Sequence, residues 1–164
     1  MDSKRATLFV RLEELGIAST TVEHAPMFTV EQSQSLRGTI PGAHTKNLFL
    51  KDKDGRLVLV VAKEDTKVDL KGLAKRLDFS RFSFGKPALL MEVLGIEPGA
   101  VTAFALINEN SRALAAVVID EALLDFAEVN AHPLVNSATT RVATDDLLNF
   151  MKACGHAPVI LPLA

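Results

Sequence analysis

The sequence is poor in the residues on which several classes of protein depend. Its 164 residues include one cysteine, Cys154, and neither tryptophan nor tyrosine. A lone cysteine excludes an internal disulfide and a cysteine-based zinc cluster. The nine phenylalanines lie mostly among aliphatic residues, which disfavours a surface that binds single strands by stacking bases on aromatic rings.

Long apolar runs are also missing. The longest, such as residues 57–62, fall far short of the ~18 residues needed to span a membrane. The chain begins with a charged amphipathic segment rather than the apolar stretch of a secretory signal. We therefore expect one cytoplasmic domain over residues 1–164, with no membrane partner.

Charge of one sign is not in excess over the whole chain, whose net charge is −2, but it is unevenly distributed. Residues 46–86 hold 11 basic and 6 acidic residues, a net charge of +5, whereas residues 87–164 hold 3 basic and 9 acidic residues, a net charge of −6. This balance argues against wrapping long nucleic acid, so no DNA partner is expected. Two interpretations of the basic segment remain possible: a local basic face that holds a few phosphates, and a solvated surface of mixed charge.

Two continuous apolar runs, 48–50 and 57–61, flank the turn pair Asp54-Gly55. They predict a hairpin whose strands are covered on both faces. The remaining patterns do not follow a strict β-α-β rhythm, which indicates an α+β domain with a mixed, largely antiparallel sheet. The other predicted strands are 21–23, 102–107, 115–120, 139–142 and 159–161, and the predicted helices are 4–15, 29–36, 69–77, 87–95, 121–126 and 144–155.

The common catalytic motifs are absent. The sequence has no nucleophile elbow, phosphate-binding P-loop or dinucleotide fingerprint. Its four histidines show no metal-ligand spacing, so neither a metal site nor a cofactor is predicted.

Three segments nevertheless place unusual residues together. Lys46 and Asn47 run directly into the first strand of the predicted hairpin, where a buried ammonium would need a partner. His132 precedes a proline, which stiffens its backbone. Residues 95–102 contain two glycines and a proline, which let backbone amides approach a ligand closely. From the residues alone, a solvated lysine, a loop histidine and an ordinary turn remain alternatives.

In this order, the segments 45–50, 95–102 and 132–136, with Thr139-Thr140, resemble the YbaK/prolyl-tRNA synthetase editing-domain family. Within it the chain is most similar to the freestanding Ala-tRNA(Pro) deacylases, over about residues 5–162. One departure is Ala103, where many members have proline.

The resemblance implies a partly rolled mixed sheet with surrounding helices and a pocket for the aminoacylated end of tRNA. It also implies two sets of site residues. The catalytic set is Lys46, Asn47 and His132, and the substrate-binding set is Gly95, Pro98, Gly99, Ala100, Val101, Thr102 and Asn136.

The expected function is thus hydrolysis, in trans, of the ester in mischarged Ala-tRNA(Pro). The expected partners are the acceptor end of aminoacylated tRNA and, in addition, prolyl-tRNA synthetase. Two alternatives stay open. One is a non-catalytic module that binds aminoacyl-tRNA or a nucleotide, and the other is a deacylase for Ser- or Cys-charged tRNA.

Overall fold

The computed structural model describes residues 3–25 and 40–164. Within these ranges the chain forms four α-helices: α1 (Ser3–Glu14), α2 (Leu70–Leu77), α3 (Pro87–Leu94) and α4 (Thr144–Ala153). The helices predicted over 4–15, 69–77, 87–95 and 144–155 are therefore confirmed to within two residues at each end. The helix predicted over 29–36 lies outside the described residues.

In the described part of the chain, eight strands form one open mixed sheet: β1 (Ser19–Glu23), β2 (Ala43–Asp52), β3 (Leu57–Lys63), β4 (Phe82–Phe84), β5 (Leu114–Asp120), β6 (Glu128–Ala131), β7 (Ala138–Ala143) and β8 (Val159–Leu161). Their order is β1-β7-β6-β2-β3-β5-β8, and β4 pairs with β2 outside this path. Four of the seven described pairings are antiparallel and three are parallel. The predicted α+β class is confirmed.

The hairpin of β2 and β3 lies in the middle of the sheet, and side chains from other elements cover both of its faces. Leu59 and Val61 belong to the larger hydrophobic cluster, which includes buried residues of α1, α3 and α4. Val58 and Val60 belong to the smaller cluster, which is completed by α2. The continuous apolar run predicted this double burial correctly. No described helix is long and apolar enough to cross a membrane.

The strand predicted over 102–107 is wrong. Ala103–Ile107 is a short 3₁₀ helix, started by Thr102, whose hydroxyl accepts a hydrogen bond from the amide of Phe104 at 3.3 Å. A fully buried apolar run has no periodicity that separates a strand from a buried helical turn.

The helix predicted over 121–126 is also a 3₁₀ helix, Glu121–Asp125. Strands β4 and β6 were missed because three and four residues are too few for a recognisable pattern.

The turn of the central hairpin is held by Asp52, whose side chain is buried. Its carboxylate accepts hydrogen bonds from the amides of Asp54 and Arg56 at 3.0 and 2.8 Å, and from Arg56 Nε at 2.7 Å. The amide and hydroxyl of Ser80 donate to it from the segment before β4, both at 3.2 Å. Burial by itself raises the pKa of Asp52, but the bonds from Arg56 and Ser80 outweigh it and lower the pKa from 3.8 to about 2.

We expect Asp52→Asn to lower the melting temperature at pH 7 by roughly 5 °C or more, because several donors lose a charged acceptor. A lowered folded-state pKa means that the ionised carboxylate stabilises the fold above pH 3.8, and that this contribution disappears as the pH falls towards about 2. The difference in melting temperature between wild type and variant should therefore shrink across that interval. A difference that is equally large at pH 2.5 and pH 7 would contradict this role of the charge.

Candidate active site

A cleft of about 430 Å³ opens where three parts of the fold meet. These parts are the N-terminus of α1, the segment that follows α3, and the connection between β6 and β7. Four of the predicted substrate-binding residues are among its described lining: Gly95, Gly99, Ala100 and Asn136. A smaller cavity of about 190 Å³ shares part of this lining, including Gly95. The structure thus brings together two segments that are almost forty residues apart in the sequence.

The first wall of the cleft begins at Gly95, which ends α3 in the left-handed conformation with φ +68°. A side chain here would be strained, and its Cβ would lie 3.3 Å from Nδ2 of Asn108. Two side chains from other elements fix the wall: Lys4 Nζ donates to the carbonyl of Gly95 at 2.6 Å, and Asn108 Nδ2 donates to the carbonyl of Val93 at 2.9 Å. The wall therefore starts from a backbone held on both sides.

The remaining predicted residues of this segment shape it from within. Pro98 opens the 3₁₀ turn Pro98–Ala100, in which the amide of Ala100 donates to the carbonyl of Glu97 at 2.9 Å. Val101 packs against the larger hydrophobic cluster. Thr102 is fully buried and caps the following 3₁₀ helix. Direct contact of Pro98, Val101 and Thr102 with a substrate stays a prediction.

The second wall contains a leucine in an unusual conformation. Leu134 has φ +69°, in the left-handed region that non-glycine residues seldom occupy, and it lines both cavities. For a leucine this conformation costs about 1–2 kcal/mol, and such strain concentrates at binding and catalytic sites. The sequence analysis did not single out Leu134, because no side-chain pattern predicts a left-handed leucine.

His132 lies at the start of this second wall and is mostly buried. Its Nδ1 lies 3.1 Å from the carbonyl of Ala138, which can only accept, so Nδ1 carries the proton. Burial lowers the pKa of His132 below 6.5, the bond to Ala138 opposes this, and the nearby His24 lowers the pKa further. The ring is therefore neutral at pH 7 and its Nε2 is an acceptor.

His24 is a second histidine that sequence reasoning did not place in the site. Its Nδ1 donates to the carbonyl of Ala25 at 2.8 Å, and its Nε2 lies at hydrogen-bond distance, 2.9 Å, from the hydroxyl of Thr139. The backbone amide of His24 also donates to the carbonyl of Ser137 at 2.9 Å, which joins the end of β1 to the start of β7. In the sequence, His24 stands two residues before Pro26 and belongs to none of the three segments that carry the family resemblance.

Lys46 and Asn47 are neighbours on β2 and point to opposite faces of the sheet. Lys46 pairs with Ala62, on the face of the smaller hydrophobic cluster, and Asn47 pairs with Val61, on the face of the larger one. Both are partly buried, and Oδ1 of Asn47 has no hydrogen-bond partner among the described residues.

The pairing of β2 with β6 relates Lys46 to the second wall. The two parallel strands align His44 with Asn130, and Thr45 Oγ1 donates to the carbonyl of Asn130 at 2.7 Å. The pairing ends at His44 and Asn130, two residues before Lys46 on β2 and two residues before His132 in the segment after β6. The described lining of the cleft does not include Lys46, Asn47 or His132, so the catalytic roles of these three residues stay predictions.

Within the described ranges, no group of three or more histidine, cysteine or acidic side chains is placed to hold a metal ion.

Comparison with known proteins gives one consistent picture. The model of the aminoacyl-tRNA editing domain family matches residues 24–150. The chain is 37% identical to the prolyl-tRNA editing protein ProX of Acetoanaerobium sticklandii, over 95% of this chain and 94% of that one. It is 38% identical to prolyl-tRNA synthetase associated domain-containing protein 1 of Danio rerio, over 92% of this chain and 82% of that one. A crystal structure of a candidate trans-editing enzyme for prolyl-tRNA synthetase covers 99% of this chain and is itself covered to 98%, with a TM-score of 0.75 and 20% identity, which supports the fold.

Proposed function

Since this chain belongs to the aminoacyl-tRNA editing domain family, we propose that it is a hydrolase that corrects, in trans, the mischarging errors of prolyl-tRNA synthetase by cleaving Ala-tRNA(Pro). The observation that carries this proposal is the cleft between the glycine-rich segment and the connection that contains Leu134 and Asn136. Its two walls have backbones in constrained conformations at Gly95 and Leu134. Walls of fixed shape are what a site needs to separate two small amino acids by size.

Alanine is the substrate that physical reasoning favours. A site built for proline cannot exclude the smaller alanine side chain, because a missing methylene costs only ~1–3 kcal/mol of discrimination. A second, narrower site can admit alanine and exclude the proline ring. Such a site must lie outside the synthetase's aminoacylation pocket, as it does in a separate protein.

The reaction needs few groups. Water attacks the ester carbonyl, the bond from that carbon to the ribose oxygen breaks, and the ribose oxygen takes a proton, which releases the free amino acid and tRNA. Backbone amides within residues 95–102 are proposed to stabilise the negative oxygen of the intermediate, a role worth about 3–4 kcal/mol per donor. Pro98 has no amide proton, and the amides of Gly95 and Ala100 already donate to carbonyls of the chain, so the donors are the other amides of this segment. Neutral His132 is suited to accept a hydrogen bond from the attacking water at Nε2.

The two residues of β2 are proposed to act on the substrate. The ammonium group of Lys46 would hold the phosphate of the terminal adenosine or orient the aminoacyl group. The unpartnered Oδ1 of Asn47 is a buried acceptor, which a donor on the substrate or a water molecule would satisfy.

A deacylation panel tests the proposal. We expect release of alanine from Ala-tRNA(Pro), with Pro-tRNA(Pro) left intact, in the presence of EDTA, because the sequence offers no metal-ligand spacing. The same tRNA charged with serine or cysteine completes the panel. Faster release of serine or cysteine would replace the proposed substrate, and tight binding of Ala-tRNA(Pro) without turnover would favour a non-catalytic binding module.

Binding to tRNA should depend only moderately on salt. The segment 46–86 has a net charge of +5 and the following residues a net charge of −6, so the contact with phosphates is limited in extent. We expect the slope of log K against log salt concentration to correspond to roughly 2–5 phosphates. A slope as steep as that of a large DNA-binding repressor would show that the acidic part of the chain does not limit the contact.

A further inference from the structure

Helix α2 carries two exposed lysines on one side. Lys71 and Lys75 are four residues apart, so they lie on the same side of the helix, with about 6 Å between them along its axis. The opposite side buries Leu73 and Ala74 in the smaller hydrophobic cluster. Another exposed lysine, Lys67, lies four residues before Lys71, in the segment that precedes the helix.

The neighbours of α2 indicate which way this side faces. Arg76 lies on the other flank of the helix and donates to the carbonyl of Pro162 at 2.5 Å, beside the edge strand β8. The cluster under α2 extends from β8 through β5 and β3 to Leu48 and Leu50 of β2. Because Arg76 marks the β8 flank, Lys71 and Lys75 lie on the β2 flank.

The same flank leads to the predicted catalytic lysine. Lys46 is on β2 and pairs with Ala62, on the sheet face that α2 covers. Residues 64–69 connect β3 to α2 from the end of the hairpin at which Lys46 lies, since Thr45 pairs with Lys63. The start of α2, with Lys67 and Lys71, is therefore at the Lys46 end of the sheet, and Lys75 is one helical turn further away.

The charge of these lysines is not neutralised within the fold. Among the described residues, none forms a hydrogen bond or ion pair with Lys67, Lys71 or Lys75, and α2 has no acidic residue. The carboxylate of Asp69 accepts from the amide of Gly72 at 3.1 Å as the cap of the helix. The helix and its approach thus present a row of cations to solvent.

We propose that Lys67, Lys71 and Lys75 form a phosphate-binding track that holds the body of the tRNA while its terminal adenosine lies near Lys46, the residue proposed above to contact that end of the substrate. The proposal rests on the proposed function, because it takes tRNA as the substrate. The occupant follows from charge complementarity: Lys71 and Lys75, about 6 Å apart along the helix axis, and Lys67 before the helix match phosphates of one strand. Contacts to phosphates do not depend on the base sequence.

The double variant Lys71→Ala/Lys75→Ala tests the track. With full-length Ala-tRNA(Pro) we expect the KM to rise about tenfold, the kcat to change little, and the salt slope of tRNA binding to fall by about two phosphates. The second substrate is an alanine ester of the trinucleotide that ends the tRNA, which has the reacting bond but no tRNA body. With it, variant and wild type should have equal kcat/KM.

Arg112→Ala/Lys152→Ala is the matched control, because it removes the same charge from exposed positions on the side of the larger cluster. The proposal is wrong if the Lys71/Lys75 variant keeps the wild-type KM and salt slope. It is also wrong if the control variant shows an equal rise in KM and an equal fall in salt slope. If wild type hydrolyses neither substrate, the proposed function fails. The salt slope measured with uncharged tRNA(Pro) then still decides whether the track exists.

Discussion

Replacing Lys46 with alanine is expected to lower the rate of Ala-tRNA(Pro) deacylation by about 100-fold or more. Removing a group that stabilises charge in the transition state reduces the rate on this scale. The melting temperature should stay within a few degrees of wild type, because changes at positions without a structural partner usually shift stability by about 0.5 kcal/mol or less. The measurements are the single-turnover rate and the thermal melt of the same preparation.

The structural reason is the position of Lys46 within β2. It is partly buried beside Ala62 on the central hairpin, yet no described residue forms a hydrogen bond or ion pair with it. Its ammonium group is therefore available to a phosphate or to the aminoacyl group of a bound substrate.

Lys51 provides the control, because it lies on the same strand, is exposed and points to the other face of the sheet. Lys51→Ala should leave both the rate and the melting temperature unchanged. If Lys46→Ala retains the wild-type rate with an unchanged melt, the site is misplaced and a non-catalytic binding module becomes the better hypothesis. A large fall in the melting temperature would instead mean that Lys46 supports the fold.

The order of helices and the central hairpin could be predicted from the sequence because local signals agree there with tertiary packing. Asp54-Gly55 supplies the turn, with φ +89° at Gly55, and the continuous apolar runs reflect burial on both faces. Residues 102–107 could not be assigned from their pattern, since burial on all sides erases the periodicity that distinguishes a strand from a helical turn.

Only part of the site could be predicted from the sequence. Glycine and proline mark residues 95–102 in the sequence, and a histidine before a proline marks 132–133. The contact of Lys4 with Gly95 joins residues 91 positions apart, and the left-handed conformation of Leu134 has no compositional signal. Both depend on how distant elements meet, which no local pattern encodes.

His132 is the second position at which we expect a large effect. His132→Ala should lower the deacylation rate by about tenfold or more, and by up to ~10²-fold if the ring directs the attacking water. The reason is geometric: the carbonyl of Ala138 holds the proton of the ring on Nδ1, so that Nε2 is the acceptor that a water molecule can use. The alternative is that the ring only fills space, in which case the loss should be small.

The pH dependence separates these two roles. Because burial places the pKa of His132 below 6.5, the ring is neutral at pH 7 and takes up a proton only at lower pH. Protonation turns Nε2 into a donor, so the wild-type rate should fall on the acidic side with a midpoint below 6.5. His132→Gln keeps a polar side chain that does not titrate, so its rate should be lower than that of wild type and should lack this acidic fall.

His156 is the matched control for these variants. Burial lowers its pKa as well, and its Nε2 lies 3.1 Å from the hydroxyl of Ser111, outside the described lining of the cleft. His156→Ala should therefore keep the acidic fall in rate, even if the melting temperature decreases through loss of the bond to Ser111. An acidic fall that persists in His132→Gln and disappears in His156→Ala would assign the titrating group to the wrong histidine and remove His132 from the reaction.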